Sequence, residues 1–394
     1  MPSPAPPSSA VLAYLVSHGA TSRKNLAQEF DLSAATLTRA TRPLIDHGLL
    51  DESDSPSPSG SRGRPVTLVD INPDYALFLG VKLTGDEAFA VATDARGHIL
   101  TSQSLPLIDR SIDGVATVIE QLATRGALVD GIRPLAIGVT LGAAVVGTSI
   151  VRVAPFLGWE NVPLGHILTE RTSIPTLIAN DVRAFTLAEA WSGIGKDASP
   201  FALLTLGAGI GCGIAINGTV LSGSHGGAGS VGHLPVLADG PECESGHRGC
   251  ARAVASEAGI RQRSEQLLGH AWGTDDLLRI IHDAESRDSQ STHLASQILT
   301  DASRATGTIV GSLAAFLDPA MVVISGENVG IVEHFRHEFN EEVERARHWT
   351  ASRVPVHLKQ FSFTEWARGG ATLAIDYWAH HWQDFVSEDP ETKQ

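Results

Sequence analysis

The feature that most constrains the fold is a glycine-rich stretch within residues 204–250. An apolar strand predicted at 201–207 runs into the segment from Gly207 to Gly213, where every second residue is glycine. A second run, from Gly226 to His233, follows it, and the stretch ends with Cys243 and Cys250. Glycine lets the backbone turn tightly and approach a bound group closely, so this layout is typical of strand-to-turn junctions that bind phosphate or sugar.

The length and charge of the chain indicate several domains of different character. A chain of 394 residues exceeds the roughly 250–300 residues at which single cores stop growing. The net charge is −15 and argues against a general polyanion binder. Residues 1–70, however, carry 6 basic and 7 acidic side chains, so nearly all of the excess negative charge lies in the remainder.

The cysteine count and hydropathy pattern indicate a soluble protein of a reducing compartment. Three cysteines cannot form a disulfide framework in so long a chain, so Cys243 and Cys250 suggest a thiol or metal site. The sequence has no run of about 18 apolar residues and no signal-peptide pattern at its start. We therefore expect a cytoplasmic location and no membrane partner.

Residues 1–72 are predicted to form a winged helix-turn-helix domain. Apolar side chains at helical spacing predict three helices, the second capped by Ser22 and the third by Ser33. Alternating apolar residues on either side of a Pro/Ser/Gly-rich tip predict a two-stranded wing. Pro43 lies within the third helix, which should therefore kink near Arg42 or end there and be followed by a short helix.

The third helix and the wing carry the side chains that would contact double-stranded DNA. Small residues at the front of the helix permit close approach, while hydroxyl and guanidinium groups can bind base edges or phosphates. The candidate DNA-binding residues are Ser33, Ala34, Thr36, Thr38, Arg39 and Arg42 in the helix, with Arg62 and Arg64 in the wing. The alternatives are a three-helix protein-docking module and, for Arg62 and Arg64, a solvated basic loop.

Beyond residue 72 the chain alternates strands and helices as in α/β proteins. Two β-meanders are predicted, at residues 77–105 and 201–221, each followed by helices. We expect a first lobe at 73–190 and a second lobe with the Cys/His loop at 191–364. A last helix within 365–394 is expected to pack back on the first lobe.

Several motifs, in order along nearly the whole chain, resemble the ROK family (repressors, open reading frames, kinases). The amino-terminal matches are Thr21 to Ala27, Ser33 to Thr36 and Gly63-Arg64-Pro65. The later matches are Leu157-Gly158-Trp159, Asn180-Asp181, Gly207 to Gly213, Gly229 to His233 and Cys243 to Cys250. The resemblance implies an α/β fold: an N-terminal winged helix-turn-helix followed by a two-lobed actin/hexokinase-like (ASKHA, ROK) domain. It also implies a homo-oligomeric transcriptional regulator that senses a small molecule.

The chain departs from the kinases of that family at the phosphate site. Those kinases begin the first lobe with Asp-x-Gly-Gly-Thr, whereas this chain has Lys82 followed by Leu83, Thr84, Gly85 and Asp86. The loss of a glycine and the carboxylates of Asp86 and Glu87 disfavour a bound triphosphate. We therefore expect no enzyme activity, and the run from Gly207 to Gly213 is interpreted as an inherited turn. A working phosphate cradle is the alternative.

The resemblance also suggests the effector-binding residues. Asn180 and Asp181 match the family pair that holds a sugar hydroxyl, although Asp181 could instead cap the following helix. Family members usually have glutamates where this chain has Ser230 and Arg252. Together with His233, these four residues form the candidate effector site. Because arginine pairs with carboxylate or phosphate, we expect an effector other than a plain hexose, such as an anionic metabolite, unless the pocket is no longer used.

The family's structural zinc site is altered as well. Its ligands are a histidine and three cysteines, and here the corresponding series is His233, Cys243, Ser245 and Cys250. Serine is a poor zinc ligand, so the site is either weaker, with three protein ligands or a water as the fourth, or is completed by His247 to give two histidines and two cysteines. Two reduced cysteines beside a hydrogen-bonded His233 are the alternative to one structural zinc per chain.

The leading interpretation is a ROK-type transcriptional regulator without phosphoryl transfer. Its expected partners are double-stranded operator DNA, a small-molecule effector and further copies of itself in a homodimer or tetramer. The alternative function is an active sugar kinase with a fused DNA-binding domain, against which Lys82 argues. A scaffold that does not bind DNA is disfavoured by the order of helices, wing and Arg62-Gly63-Arg64-Pro65.

Overall fold

A computed structural model describes residues 6–54, 67–124, 132–224, 226–283 and 290–386. The chain forms two compact units. The first combines the described residues of Met1–Ser192 with those of Phe363–Gln394, and the second is Gly193–Ser362. The amino-terminal helices therefore fall in the same unit as the first α/β lobe.

Three short helices open the first unit, as predicted: α1 (Pro7–His18), α2 (Arg23–Glu29) and α3 (Ala34–Asp46). Both predicted caps are present. The Ser22 hydroxyl accepts a hydrogen bond from the Asn25 backbone N–H at 3.1 Å, and Ser33 accepts one from Thr36 at 3.1 Å. The helices share a buried apolar face that includes Leu12, Leu26 and Leu37.

Helix α3 continues through Pro43 to Asp46, so the prediction that it could end near Arg42 is wrong. Proline removes one backbone donor but leaves the remaining turns intact. Leu37 and Leu44, on either side of Pro43, are buried, and their packing stabilises the continuous helix.

A small antiparallel sheet follows the helices. It contains β1 (Thr21–Ser22), β2 (Leu50–Asp54) and β3 (Thr67–Ile71) in the order β1-β3-β2. Strands β2 and β3 are the predicted wing strands. Arg62 and Arg64, together with most of the predicted wing tip, lie outside the described residues.

The first lobe is built on a mixed five-stranded sheet with the order β11-β7-β4-β5-β6. Its elements in chain order are β4 (Phe78–Leu83), β5 (Glu87–Thr93), β6 (Ile99–Pro106), α4 (Ile112–Thr124) and β7 (Ala136–Leu141), then β8 (Ala144–Val146), β9 (Ile150–Ala154), β10 (Trp159–Val162), α5 (Leu164–Thr172), β11 (Thr176–Asn180) and α6 (Asp181–Ser192). Strands β8, β9 and β10 form a separate small sheet, which was not predicted. The central strands β4 and β7 are parallel, and the carboxyl ends of β4, β7 and β11 lie at one edge.

The second unit contains another five-stranded sheet, with the order β14-β13-β12-β15-β16. Its elements are β12 (Phe201–Leu206), β13 (Ile210–Ile216), β14 (Thr219–Val220), α7 (Ala251–Ala255), α8 (Glu257–Leu268), α9 (Thr274–His282) and α10 (Gln290–Leu317), followed by β15 (Met321–Ser325), α11 (Val329–His334), α12 (Arg336–Ala346) and β16 (Val356–Leu358). The hairpin of β13 and β14 turns at Asn217 and Gly218, which both have positive φ, as such turns require.

The chain then returns to the first unit as α13 (Phe363–His380) and α14 (Trp382–Phe385). A single last helix was predicted, but the observed helix is interrupted at His381. Helix α13 packs on β4, β7, α6 and α1. One apolar cluster joins Leu15 and Leu44 of the amino-terminal helices to Ile375 and Trp378 of α13. No helix in the described part of the chain is long and apolar enough to cross a membrane.

Candidate functional sites

The outer face of α3 presents most of the predicted DNA-binding residues together. Ser33, Ala34, Thr38, Arg39 and Arg42 are exposed, and Thr36 is half-buried. The Thr36 hydroxyl lies 3.5 Å from a guanidinium nitrogen of Arg39. The Arg42 guanidinium makes a loose contact of 3.6 Å with Asp46, with both side chains largely in solvent. These arginines can therefore reach a ligand at little cost.

Arg23, which is not among the predicted site residues, contacts α3 through Thr41 and helps to hold the helix in place. Its guanidinium donates to the Glu52 carboxylate of β2 at 2.8 Å and to the Thr41 hydroxyl of α3 at 2.8 Å. One side chain at the start of α2 thereby joins the wing strand to the third helix. The signal that could have identified it is the close spacing of Arg23 and Lys24 at a predicted helix start.

Lys82 and Asp181 form a buried ion pair at the carboxyl edge of the first sheet. Lys82 belongs to β4 and is 6% exposed, while Asp181 opens α6 and is 7% exposed. The Lys82 ammonium also lies over the Trp366 ring of α13, 5.1 Å from its centroid. A carboxylate that already binds an ammonium accepts hydrogen bonds but is poorly placed to take a proton from a substrate.

Asn180 caps α6 alongside this pair. Its side-chain oxygen accepts a hydrogen bond from the Arg183 backbone N–H at 3.2 Å, and its amide donates to the Ala143 carbonyl at 3.1 Å. The backbone N–H that donates to Asp181 is that of its immediate neighbour Val182, at 2.8 Å. The side chain that caps across a helical turn is therefore that of Asn180, rather than that of Asp181 as the alternative interpretation held.

In the second unit, the glycine turn after β12 is occupied by an acidic side chain. The carboxylate of Glu327 lies against Gly207, in the space that a Cβ at this glycine would take. An anionic group beside the turn opposes a bound phosphate through charge repulsion. Glu327 is not predictable from the sequence, because it lies far from Gly207 in the chain and follows a strand with no recognised motif.

Arg252 is already paired, contrary to its predicted role as a cation available to the effector. Its guanidinium contacts the Glu244 carboxylate. Burial acts to raise the pKa of Glu244, but hydrogen bonds and the charge of Arg252 outweigh it and hold that pKa below its usual value. Ser230 is exposed and precedes a short 3₁₀ turn at Val231–His233. Asn180 and Asp181 belong to the first unit, whereas Ser230, His233 and Arg252 belong to the second.

His233, Cys243 and Cys250 come together as a group that could hold a metal ion. Their ligand atoms all lie within 4.8 Å of one another. The His233 Nδ1 atom is 3.8 Å from each Sγ atom. Zinc bonds of about 2.3 Å to sulfur and 2.0–2.1 Å to nitrogen separate tetrahedral S and N ligands by about 3.6 Å, so the spacing suits zinc.

His247 lies beside the same group. Its Nδ1 atom is 3.6 Å from the Cys243 Sγ, and its ring centroid is 4.4 Å from that of His233. It is not part of the set whose ligand atoms all lie within 4.8 Å of one another. Its side chain would have to move closer to His233 and Cys250 to complete four ligands.

The environment of the two thiols favours one thiolate. Burial would raise the pKa of Cys243, but hydrogen bonds from the backbone of Ser245 and His247 and from the His247 and Cys250 side chains lower it to about 7. Burial raises the pKa of Cys250. Cys212, among the glycines, is buried in an apolar environment that raises its pKa to about 12, as expected of a structural side chain.

Comparisons with known proteins agree with this architecture. The ROK family profile matches residues 78–376. The chain is 28% identical over 335 residues to the DNA-binding transcriptional dual regulator NagC of Escherichia coli, covering 81% of this chain and 80% of that protein.

Solved structures share this fold over different fractions of the chain. A ROK family transcriptional regulator described as a homologue of the E. coli Mlc protein superposes with a TM-score of 0.76 at 24% identity, covering 94% of this chain and 96% of its own. A ROK hexokinase from Thermus thermophilus gives a TM-score of 0.64 at 25% identity, covering 76% and 97%. The family profile spans about three quarters of the residues and includes the Lys82–Asp181 pair and the Cys/His group. The chain belongs to the ROK family.

Proposed function

We propose that this protein is a DNA-binding transcriptional regulator whose ROK domain senses a small molecule and transfers no phosphate. The observation that carries the proposal is the outer face of α3, where Thr38, Arg39 and Arg42 are exposed on a helix fixed by Arg23. The preceding helix, the short connection and the antiparallel strands β2 and β3 support a winged helix-turn-helix. Similarity to NagC over most of both chains supports the same function.

The proposed operator contact is made by α3 in the major groove. Arg39 and Arg42 would bind base edges or phosphates, and the hydroxyls of Ser33, Thr36 and Thr38 would add hydrogen bonds. Arg62 and Arg64 are proposed as wing contacts on the strength of the sequence. A homodimer or tetramer would present two such helices to two half-sites.

Two features support the absence of phosphoryl transfer. Lys82 neutralises Asp181, the residue that would act as general base, and holds it as a hydrogen-bond acceptor. Glu327 places a carboxylate against the glycine turn where a phosphate would otherwise approach. The alternative, an active sugar kinase with a fused DNA-binding domain, requires both of these contacts to be undone.

The residues proposed from the sequence to contact the effector are Asn180 and Asp181 of the first unit and Ser230, His233 and Arg252 of the second. Because Glu244 balances the charge of Arg252, that arginine alone no longer argues for an anionic effector. The Lys82–Asp181 pair offers both donors and an acceptor, which suits a polar, hydroxyl-bearing metabolite.

We further propose one structural zinc per chain, held by His233, Cys243 and Cys250, with His247 as the fourth ligand. The short separations among the three ligand atoms support the site. When bound, zinc would tie the loop between the two cysteines to the start of α7.

Fluorescence anisotropy with DNA flanking the protein's own gene tests the function. Binding that exceeds that of scrambled competitor and weakens steeply with salt is expected of the regulator. A coupled assay with ATP and a panel of hexoses tests the kinase alternative, and steady turnover of any hexose would refute the loss of phosphoryl transfer.

A further inference from the structure

We propose that α13 couples the Lys82–Asp181 site to the amino-terminal helices, with Trp366 as the residue that senses the ion pair. The inference rests on the proposed function, because it concerns how an effector at Asp181 would change the DNA-binding face. It assigns Trp366 a positioning role, since this side chain touches the pair and lies on a helix that extends to α1.

The contact at the site is made by Trp366 with two elements. Its ring lies 5.1 Å under the Lys82 ammonium and is stacked on Phe185 of α6, with ring centroids 5.1 Å apart. A ligand hydroxyl that binds Asp181 competes for the same oxygens as the ammonium. Any shift of Lys82 therefore changes its interaction with the ring face.

Polar contacts fix this end of α13 to α6. Arg368 donates to the buried Glu189 carboxylate at 3.1 Å and to the Ser192 hydroxyl at 2.6 Å. Both partners lie on α6, the helix that Asp181 opens. A displacement at the start of α6 is thereby passed to α13 through directional bonds.

The middle of α13 touches the sheet backbone to backbone. A Cβ at Gly80 of β4 would overlap the Ala367 carbonyl, and one at Gly138 of β7 would overlap that of Gly370. Because no side chains lie between them, the helix and the strands cannot absorb a movement by rearranging side chains. Packed interiors transmit strain for this reason.

The far end of α13 lies in the amino-terminal core. The Trp378 ring stacks on the Tyr75 ring, with centroids 5.6 Å apart. The Trp382 ring of α14 contacts the His47 ring at the end of α3, with centroids 5.9 Å apart. The buried indole N–H groups of Trp378 and Trp382 have no hydrogen-bond partner in the described part of the protein. Apolar contact without directional bonds leaves this end able to slide.

A helix held by ion pairs at one end and by apolar rings at the other can move as a rigid rod. Trp366 and Trp378 are separated by 12 residues, or about 18 Å along the helix axis at about 1.5 Å per residue. Shifts of about 1–2 Å between packed helices are typical of switching proteins. Such a shift at the far end of α13 would move α1, which packs on it, and the end of α3, which Trp382 contacts through His47.

Hydrogen–deuterium exchange of the full-length protein tests this coupling without an identified effector. Two variants alter the sensing end: Trp366→Leu, and the double variant Lys82→Met/Asp181→Asn, which removes both charges and avoids leaving one buried alone. We expect amide exchange in α1 and α3 to change by several-fold in both variants. The matched controls are Trp349→Leu, at a tryptophan that is 84% exposed, and Arg263→Met/Asp301→Asn, at another largely buried ion pair.

The outcomes separate the coupling from the proposed function. Changes confined to β4, α6 and the first half of α13 would overturn the coupling, and so would a uniform rise across both units or equal changes in the controls. Anisotropy with DNA is measured in parallel. If the wild-type protein binds no specific DNA, the proposed function fails, while the exchange data still decide whether α13 transmits the change.

Discussion

Lys82 and Asp181 form an ion pair in the interior although 99 residues separate them in the chain. The pair joins β4 to the start of α6, at the carboxyl edge of the first sheet. Desolvating two charges is costly, so such a pair contributes little net stability while intact, but removing one partner leaves the other charge buried.

Lys82→Met should therefore destabilise the protein by about 3–5 kcal/mol, because Asp181 would keep a buried charge without a partner. Urea unfolding measures the loss. Lys82→Met/Asp181→Asn should recover most of it, and Arg279→Met, at a largely exposed pair with Asp276, should cost at most about 1 kcal/mol. Equal losses in all three variants would contradict the account.

Arg39→Ala should weaken specific DNA binding by about 1–3 kcal/mol if the guanidinium reads a base edge. The measurement is anisotropy against wild-type and base-substituted operator DNA. Arg336→Ala, on α12 of the second unit, provides an exposed control arginine that should leave the affinity unchanged. An unaltered affinity for Arg39→Ala would remove α3 as the recognition helix.

Arg23→Met should also weaken DNA binding, but by a different route. The Arg23 guanidinium contacts Glu52 and Thr41. The loss of Arg23 should therefore loosen the packing of α3 on β2 without removing a side chain that binds a phosphate. The salt dependence distinguishes the two cases: a residue that itself binds a phosphate would, when substituted, reduce the slope by about 1, whereas substitution of a positioning residue leaves the slope unchanged. Lys24→Met, at the exposed neighbour, is the control.

Protein purified without chelator should contain about one zinc per chain, measured by elemental analysis. Cys243→Ser and Cys250→Ser should abolish the metal, and His247→Ala should lower its retention during dialysis. Cys212→Ala is the control, because burial raises the pKa of the Cys212 thiol and keeps it protonated. Its loss should leave the zinc content unchanged. Clearly substoichiometric zinc in the wild-type protein would favour two reduced cysteines.

Stability should fall between about pH 6.5 and pH 9 through His380 at the end of α13. A hydrogen bond to Asp376 raises the pKa of His380 from 6.5 to about 9, despite the opposing effect of burial. Because the folded value lies above the unfolded one, the stabilisation is complete below about pH 6.5 and is lost as the pH rises through about 9. Urea unfolding across this range should show the slope in the wild type and a reduced slope in Asp376→Asn.

Local patterns allowed much of the fold to be predicted. The Ser22 and Ser33 caps and both meanders depend on neighbouring residues, and all are present. The small sheet of β8 to β10 was missed because its strands are short and leave apolar residues such as Val146 exposed. Such strands lack the alternation that identifies a half-buried strand.

The sites were less predictable, because the role of each side chain depends on partners that are distant in the sequence. Lys82 could be recognised as a departure from the kinases, but nothing local showed that it neutralises Asp181 or lies over Trp366. Arg252 was interpreted as a cation available to a ligand, and the structure pairs it with Glu244. Whether a charged side chain is available to a ligand depends on the partners that folding places next to it.

Because α1, α3 and α13 share one apolar core, the first unit can finish folding only after α13 has been synthesised. Leu15 and Leu44 share one apolar cluster with residues of α13, which are translated only after the entire second unit has been made. A nascent chain therefore carries three finished amino-terminal helices with an uncovered apolar side for most of its synthesis. Translation that stops early would yield fragments in which Arg23 can still join α3 to β2, but in which the apolar side of the three helices stays exposed and makes them targets for proteases.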